Sequence, residues 1–149
     1  MEISKEFHFE ASHILPKHKG KCSRLHGHSW VLTVYVKGGI DPDTGFVMDY
    51  ADLKKSVQWV VNNLDHYHFG ADTISHGPPT SILLPTDFYP SSENLIILIG
   101  SLLLSPEVNA PWSKLELNET CTSKCILTRD EYENIRNAER LESVSRKEP

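Results

Sequence analysis

Two alternating stretches near the N-terminus constrain the fold more than any other feature of this 149-residue chain. In both stretches apolar residues and histidines recur at every second position: Phe7, Phe9, Ala11 and His13, then His26, His28, Trp30, Leu32, Val34 and Val36. This period predicts two β-strands, each with one buried face. If the strands are antiparallel neighbours, residues 14–25 connect them and bring His13 to His26 and His28.

The remaining periodicity predicts helices and a third strand. Asp49 is an expected N-cap for a helix of about four turns, whose apolar stripe is Tyr50, Leu53, Val57, Val60 and Leu64. Ser91 or Ser92 is expected to cap a second, buried helix that runs through Leu104. Leu115, Leu117 and Glu119 share one face of a strand. A capping box at residues 128–131 opens a charged C-terminal helix.

The order strand, strand, helix, helix, strand predicts an α+β fold with an antiparallel sheet. The length favours a single domain over residues 1–149. Within it, prolines and glycines predict a long loop or insert at residues 68–90.

Composition excludes several classes of protein. A net charge of −5 argues against broad nucleic-acid binding. The first residues are polar, without the apolar core of a secretory signal. The longest apolar run, Leu95–Leu104, is interrupted by Gly100 and is shorter than the ~20 residues a membrane span needs. Three cysteines favour cytosolic thiols over a disulfide framework, so a cytoplasmic location is expected.

Three inward imidazoles at one end of a sheet predict a zinc site. His13, His26 and His28 would leave a fourth position open, as in catalytic zinc sites; the alternative is that they are ordinary core or surface histidines. Cys22 lies four residues before His26. A nearby cation favours the thiolate, so Cys22 is a candidate base or nucleophile. It could equally be a fourth zinc ligand or a buried thiol.

Two further sites carry ionisable side chains at informative positions. Asp65 and His66 end the first predicted helix, where they could pass a proton or simply favour the helix terminus. Glu119 shares the parity of buried leucines, so its carboxylate needs a partner. That partner is either an N–H-rich ligand edge or an internal Lys or Arg. Cys121 and Cys125 are expected to be packing residues.

These motifs occur in a recognisable order. The segments are residues 9–13 (FEASH), 22–28 (CSRLHGH), 45–50 (GFVMDY), 64–66 (LDH), 91–95 (SSENL) and 119–120 (ET). Together they resemble the 6-pyruvoyltetrahydropterin synthase superfamily. The three residues between Cys22 and His26 resemble the bacterial 6-carboxytetrahydropterin synthases of queuosine biosynthesis, whereas the animal-type pyruvoyl enzymes usually have five.

The resemblance implies the tunnelling fold (T-fold), with two main helices on one sheet face. It implies a homohexamer built as a dimer of trimers, with active sites at subunit interfaces. Zn²⁺ would be held by His13, His26 and His28. Cys22 would accept a proton, Asp65 and His66 would form a relay, and Glu119, with Thr120 beside it, would bind the pterin and join that relay.

The implied reaction converts 7,8-dihydroneopterin triphosphate to 6-carboxytetrahydropterin, acetaldehyde and triphosphate. Two alternatives stay open: synthesis of the 6-pyruvoyl product, and a non-catalytic protein that binds zinc or a pterin. Three features depart from the family: the long 68–90 segment, a C-terminal extension over residues 129–149, and residues 125–127 (CIL) where an aromatic residue is usual.

A basic loop between the proposed ligand strands is a candidate triphosphate site. It carries Lys17, Lys19, Lys21 and Arg24 within eight residues. Such side chains suit phosphate oxygens. The alternative is a solvated loop whose charges only aid solubility.

Overall fold

The computed structural model describes residues 1–70 and 88–145, and within these residues the chain forms a five-stranded sheet with helices on one face. The strands are β1 (Glu2–His13), β2 (His26–Lys37), β3 (Tyr67–Phe69), β4 (Lys114–Asn118) and β5 (Lys124–Thr128). The helices are α1 (Tyr50–Leu64), α2 (Ser92–Leu103) and α3 (Arg129–Ser145), and a 3-10 turn spans Lys21–Ser23. The sheet order is β3-β1-β2-β4-β5. The α+β prediction is confirmed.

The two long strands pair as predicted. β1 and β2 are antiparallel neighbours, with Phe7 opposite Leu32 and His13 opposite His26. Their alternating apolar residues are buried on one face of the sheet. α1 packs against β1, and α2 packs against β4 and β5, so the core lies between this face and the helices.

The helix starts follow their predicted caps. The Asp49 carboxylate accepts a hydrogen bond from the Ala51 amide at 2.6 Å, and the Ser91 hydroxyl accepts one from Asn94. At α3, Thr128 and Glu131 form the reciprocal capping box: the Glu131 carboxylate accepts from the Thr128 amide and hydroxyl, and the Glu131 amide donates to the Thr128 hydroxyl.

The expectation of a wholly antiparallel sheet is wrong at one edge, because β3 pairs with β1 in parallel. The predicted 68–90 loop is also wrong at its start: His68 and Phe69 belong to β3, where Phe69 is buried in the core. Most of that loop lies outside the described residues, as does the end of the C-terminal extension. The packing role expected for Cys121 is wrong, since it is exposed, whereas Cys125 packs against the core.

Among the described residues, no helix combines the length and the apolarity that crossing a membrane requires.

Candidate metal centre and surrounding site

The three predicted histidines meet at one end of the β1–β2 pair. His13 lies directly opposite His26, and His28 pairs with Ala11, two residues before His13. The Nε2 atoms of His13 and His26 are 3.0 Å apart. His13 is fully buried, whereas the His28 side chain is 20% exposed and faces the open side.

Glu119 joins the same cluster from the end of β4. Its Oε1 atom lies 3.3 Å from His13 Nε2 and 3.4 Å from His28 Nε2. The ligand atoms of His13, His26, His28 and Glu119 all lie within 4.8 Å of one another. The partners that the Glu119 carboxylate was predicted to need are therefore two histidines, His13 and His28. Within the described part of the chain, no Lys or Arg pairs with this carboxylate.

Hydrogen bonds to backbone carbonyls orient two of the imidazoles. His13 Nδ1–H donates to the Pro90 carbonyl at 2.8 Å, and His26 Nδ1–H donates to the Arg24 carbonyl at 2.7 Å. In the neutral rings both protons are thereby placed on Nδ1, so both Nε2 atoms present lone pairs to each other.

The histidine nitrogens and the carboxylate oxygen thus direct lone pairs at one another with no proton between them. A cation bound among these atoms would remove the resulting repulsion. His28 Nε2 is buried and has no hydrogen-bond partner among the residues described. Adjacent donors around a tetrahedral zinc, with bonds of 2.0–2.1 Å, lie about 3.3–3.4 Å apart. The observed separations of 3.0, 3.3 and 3.4 Å are close to this spacing. The cluster can hold a metal ion.

Burial favours the neutral, metal-binding form of two of the imidazoles, those of His13 and His28. Desolvation lowers the pKa of His13, and the neighbouring His26 and His28 lower it further, against the opposing effects of the Pro90 carbonyl and Glu119. Desolvation likewise lowers the pKa of His28, with Glu119 opposing and His26 assisting. Neutral imidazole is the ligating species.

Trp30 forms the floor of the cluster, a supporting role that the motifs did not reveal. Its side chain is fully buried, and its ring lies edge-on to His13 and His28 at centroid distances of 5.5 and 5.4 Å. Its indole N–H donates to the Ala11 carbonyl at 3.2 Å. The parity shared by Trp30 and His28 was the available signal.

Cys22 is not a member of the cluster. It occupies the 3-10 turn between β1 and β2, half-buried, and its carbonyl accepts a hydrogen bond from the Leu15 amide. Its sulfur is not part of the group of ligand atoms within 4.8 Å of one another. This placement does not support the alternative of a fourth thiolate ligand.

Asp65 and His66 are held against β1. The Asp65 carboxylate accepts from the Glu10 amide at 2.8 Å and lies 3.0 Å from His66 Nδ1. The Glu10 hydrogen bond, followed by His66, lowers the pKa of Asp65. His66 adopts a positive φ of 59° and its side chain is 76% exposed. Both His66 and His28 line a cavity of about 310 Å³.

The other predicted binding residues lie on two surface segments. Lys17, Lys19 and Lys21 are exposed on the connection between the ligand strands, and the Lys17 ammonium is 5.9 Å from the centre of the Tyr89 ring. Thr120 is exposed in the β4–β5 turn, where its hydroxyl accepts from the Ser123 amide at 3.1 Å.

Known proteins are similar to this chain in sequence and in fold. The profile of the family described as 6-pyruvoyl tetrahydropterin synthase matches residues 2–130. A 6-carboxy-5,6,7,8-tetrahydropterin synthase of Synechocystis is 39% identical over 127 residues, covering 81% of this chain and 88% of that protein. The Bacillus subtilis protein of the same name is 29% identical over 129 residues, covering 84% and 83%.

Among solved structures, the Caenorhabditis elegans 6-pyruvoyl tetrahydropterin synthase superposes with a TM-score of 0.65 at 26% identity. The match covers 86% of this chain and 94% of that one. The shared fold, together with a profile that extends over both ligand strands and Glu119, leads to one conclusion: the chain belongs to the 6-pyruvoyl tetrahydropterin synthase family.

Proposed function

We propose that this protein is a zinc-dependent 6-carboxy-5,6,7,8-tetrahydropterin synthase of the queuosine pathway, a carbon–carbon lyase. It would convert 7,8-dihydroneopterin triphosphate and one water to 6-carboxytetrahydropterin, acetaldehyde and triphosphate. The observation that carries the proposal is the convergence of His13, His26, His28 and Glu119 with no proton donor between them. The names of the relatives and the three-residue spacing between Cys22 and His26 favour the carboxy product.

His13, His26 and His28 would hold the zinc. When bound, the metal would supply Lewis-acid polarisation of the hydroxyl oxygens of the substrate side chain. Trp30 packs behind two of the imidazoles and would keep them aligned.

The proton transfers fall to side chains around this centre. Cys22 would remove a proton from the side-chain carbon of the substrate, and His66 would return one. Asp65 lies 3.0 Å from His66 Nδ1, so it would orient the ring and leave Nε2 to the substrate. Glu119 would accept hydrogen bonds from the N–H edge of the pterin, with Thr120 next to it.

The basic loop would hold the triphosphate. Lys17, Lys19 and Lys21 are exposed on the connection between the two ligand strands, where their ammonium groups would act as point charges for phosphate oxygens. The 76% exposure of His66 suits a site completed by a second subunit, as in the dimer of trimers that the family resemblance implies. A cytoplasmic location is part of the same proposal.

Product analysis tests the proposal. The purified protein, loaded with zinc, is incubated with 7,8-dihydroneopterin triphosphate and the products are identified by mass spectrometry. We expect 6-carboxytetrahydropterin and acetaldehyde. A 6-pyruvoyl product would replace the proposed reaction with that of a pyruvoyl synthase, and unchanged substrate with zinc in place would indicate a binding protein.

A further inference from the structure

We infer that Glu119 is the fourth ligand of the metal while the pterin site is empty, and that a bound pterin draws this carboxylate off the metal. The inference rests on the proposed function, because the same carboxylate is assigned to the pterin. Beyond the proposed function, we infer that Glu119 serves the metal site first and the pterin site afterwards.

One oxygen of the Glu119 carboxylate lies close to two of the proposed metal ligands. A single atom, Oε1, lies 3.3 Å from His13 Nε2 and 3.4 Å from His28 Nε2. Neighbouring ligands of a tetrahedral zinc with ordinary bond lengths are separated by about 3.3–3.4 Å. Oε1 is therefore placed where the fourth ligand of a metal held by the histidines would lie.

The largely buried Glu119 carboxylate needs a cationic partner. The side chain is 22% exposed, and the ion pairs it makes within residues 1–70 and 88–145 are with His13 and His28. His13 Nδ1–H donates to the Pro90 carbonyl, so His13 Nε2 presents a lone pair, and no proton, to the carboxylate. A largely buried carboxylate without a cationic partner is unfavourable, and a divalent cation in the cluster would supply the missing charge.

Hydrogen bonds hold the backbone around Glu119, while its side chain is 22% exposed. The Glu119 amide donates to the Ser123 carbonyl at 3.1 Å, and the Thr120 hydroxyl braces the same turn. Rotation about the side-chain bonds can therefore carry the carboxylate from the cluster to a neighbouring ligand without moving β4.

Movement of Glu119 from the metal to the pterin would make activation of the metal depend on pterin binding. Three imidazoles and one carboxylate close a tetrahedral zinc site, whereas catalytic zinc keeps a position for water or substrate. Pairing with the amino-pyrimidinone edge of a pterin would take Glu119 from the metal and open that position. The metal would then accept a substrate oxygen only when a pterin is bound.

The first measurement is the zinc affinity of the substrate-free protein, by competition with a chelator. Glu119→Gln replaces the carboxylate with a weaker neutral ligand, and we expect zinc to bind at least about tenfold more weakly. Glu116→Gln is the matched control, because Glu116 lies in β4, three residues before Glu119, but contacts Tyr35 and Lys124. Its zinc affinity should equal that of the wild type. Equal affinity in Glu119→Gln would overturn the inference.

The second measurement separates a metal ligand from a nearby charge. Cobalt(II) in place of zinc gives a visible spectrum that reports the ligand set. We expect unsubstituted pterin to change the spectrum of the wild type and to leave that of Glu119→Gln unchanged. Because coupling between two binding sites is reciprocal, bound pterin should also weaken zinc binding to the wild type. It should not do so in Glu119→Gln.

The outcomes distinguish this inference from the proposed function. If pterin binds, by a fluorescence titration, and the wild-type spectrum does not change, the exchange is refuted while the proposed function stands. If pterin does not bind at all, the proposed function and the exchange fail together.

Discussion

Replacement of Trp30 by Phe tests whether this indole is the structural support of the metal cluster. Trp30 is fully buried, and its N–H donates to the Ala11 carbonyl. Losing that hydrogen bond costs about 1 kcal/mol, and trimming the buried ring costs about another 1–2 kcal/mol. The free energy of unfolding of the metal-free protein should fall by about 2–3 kcal/mol.

Trp112→Phe is the matched control. Trp112 is also buried, at 4% exposure, but within the described part of the chain its indole N–H has no hydrogen-bond partner. The substitution trims a similar volume and removes an unsatisfied donor, so the two effects offset and the cost should be about 0–1 kcal/mol. The variants should differ by about 2 kcal/mol, or roughly 6 °C in Tm for a chain of this length.

Urea unfolding followed by circular dichroism, in the presence of a chelator, measures both free energies. Zinc affinity supplies a second readout: it should fall in Trp30→Phe, whose ring no longer supports His13 and His28 fully, and stay unchanged in Trp112→Phe. Equal destabilisation of the two variants, or a larger loss in Trp112→Phe, would refute the account of Trp30.

Three further predictions concern catalysis, phosphate binding and acid stability. Cys22→Ala should keep its zinc, measured by metal analysis, and lose roughly 10²-fold or more in turnover, as expected for a missing base; lost zinc would make it a ligand. Replacing Lys17, Lys19 and Lys21 with Gln should raise KM for the triphosphate substrate but not the Kd for neopterin. The matched Lys54 and Lys55 variant, on the exposed face of α1, should change neither. A salt-independent wild-type KM would contradict this assignment. Asp65→Asn should unfold more easily at pH 7. The pKa of Asp65 is lowered in the fold, so its contribution is present above the unfolded carboxyl range, near 3.9, and is lost as pH falls through the folded pKa; a difference that persists in acid would contradict the role of its charge.

The ligand strands could be predicted because their information is local. Period-2 alternation places His13, His26 and His28 on the buried face, and a short connection makes antiparallel pairing the simplest arrangement. The structure adds the register, in which His13 lies opposite His26.

The strands β3 and β5 could not be predicted, for different reasons. β3 depends on where α1 ends and on the turn at His66, whose amide bonds to the Glu10 carbonyl, so its pairing is set by tertiary structure. β5 is five residues long and leaves Ile126 half exposed at the sheet edge, which weakens its alternating pattern.

The environment of Glu119 depends on long-range register as well. Its parity with Leu115 and Leu117 predicted an inward carboxylate in need of a partner. Which partner it meets follows from the pairing of Val31 with Asn118, which places Glu119 at the histidine end of β2. The sequence alone gives no access to that register.

Zinc titration of the metal-free protein, with turnover of dihydroneopterin triphosphate recorded at each point, tests whether catalysis depends on zinc in the histidine cluster. Turnover should rise in proportion to bound zinc and level off at about one ion per chain. His26→Ala should fold but neither bind zinc nor turn over substrate, whereas His8→Ala, at an exposed position of β1, should match the wild type. Full turnover without metal, or full zinc occupancy in His26→Ala, would contradict the account.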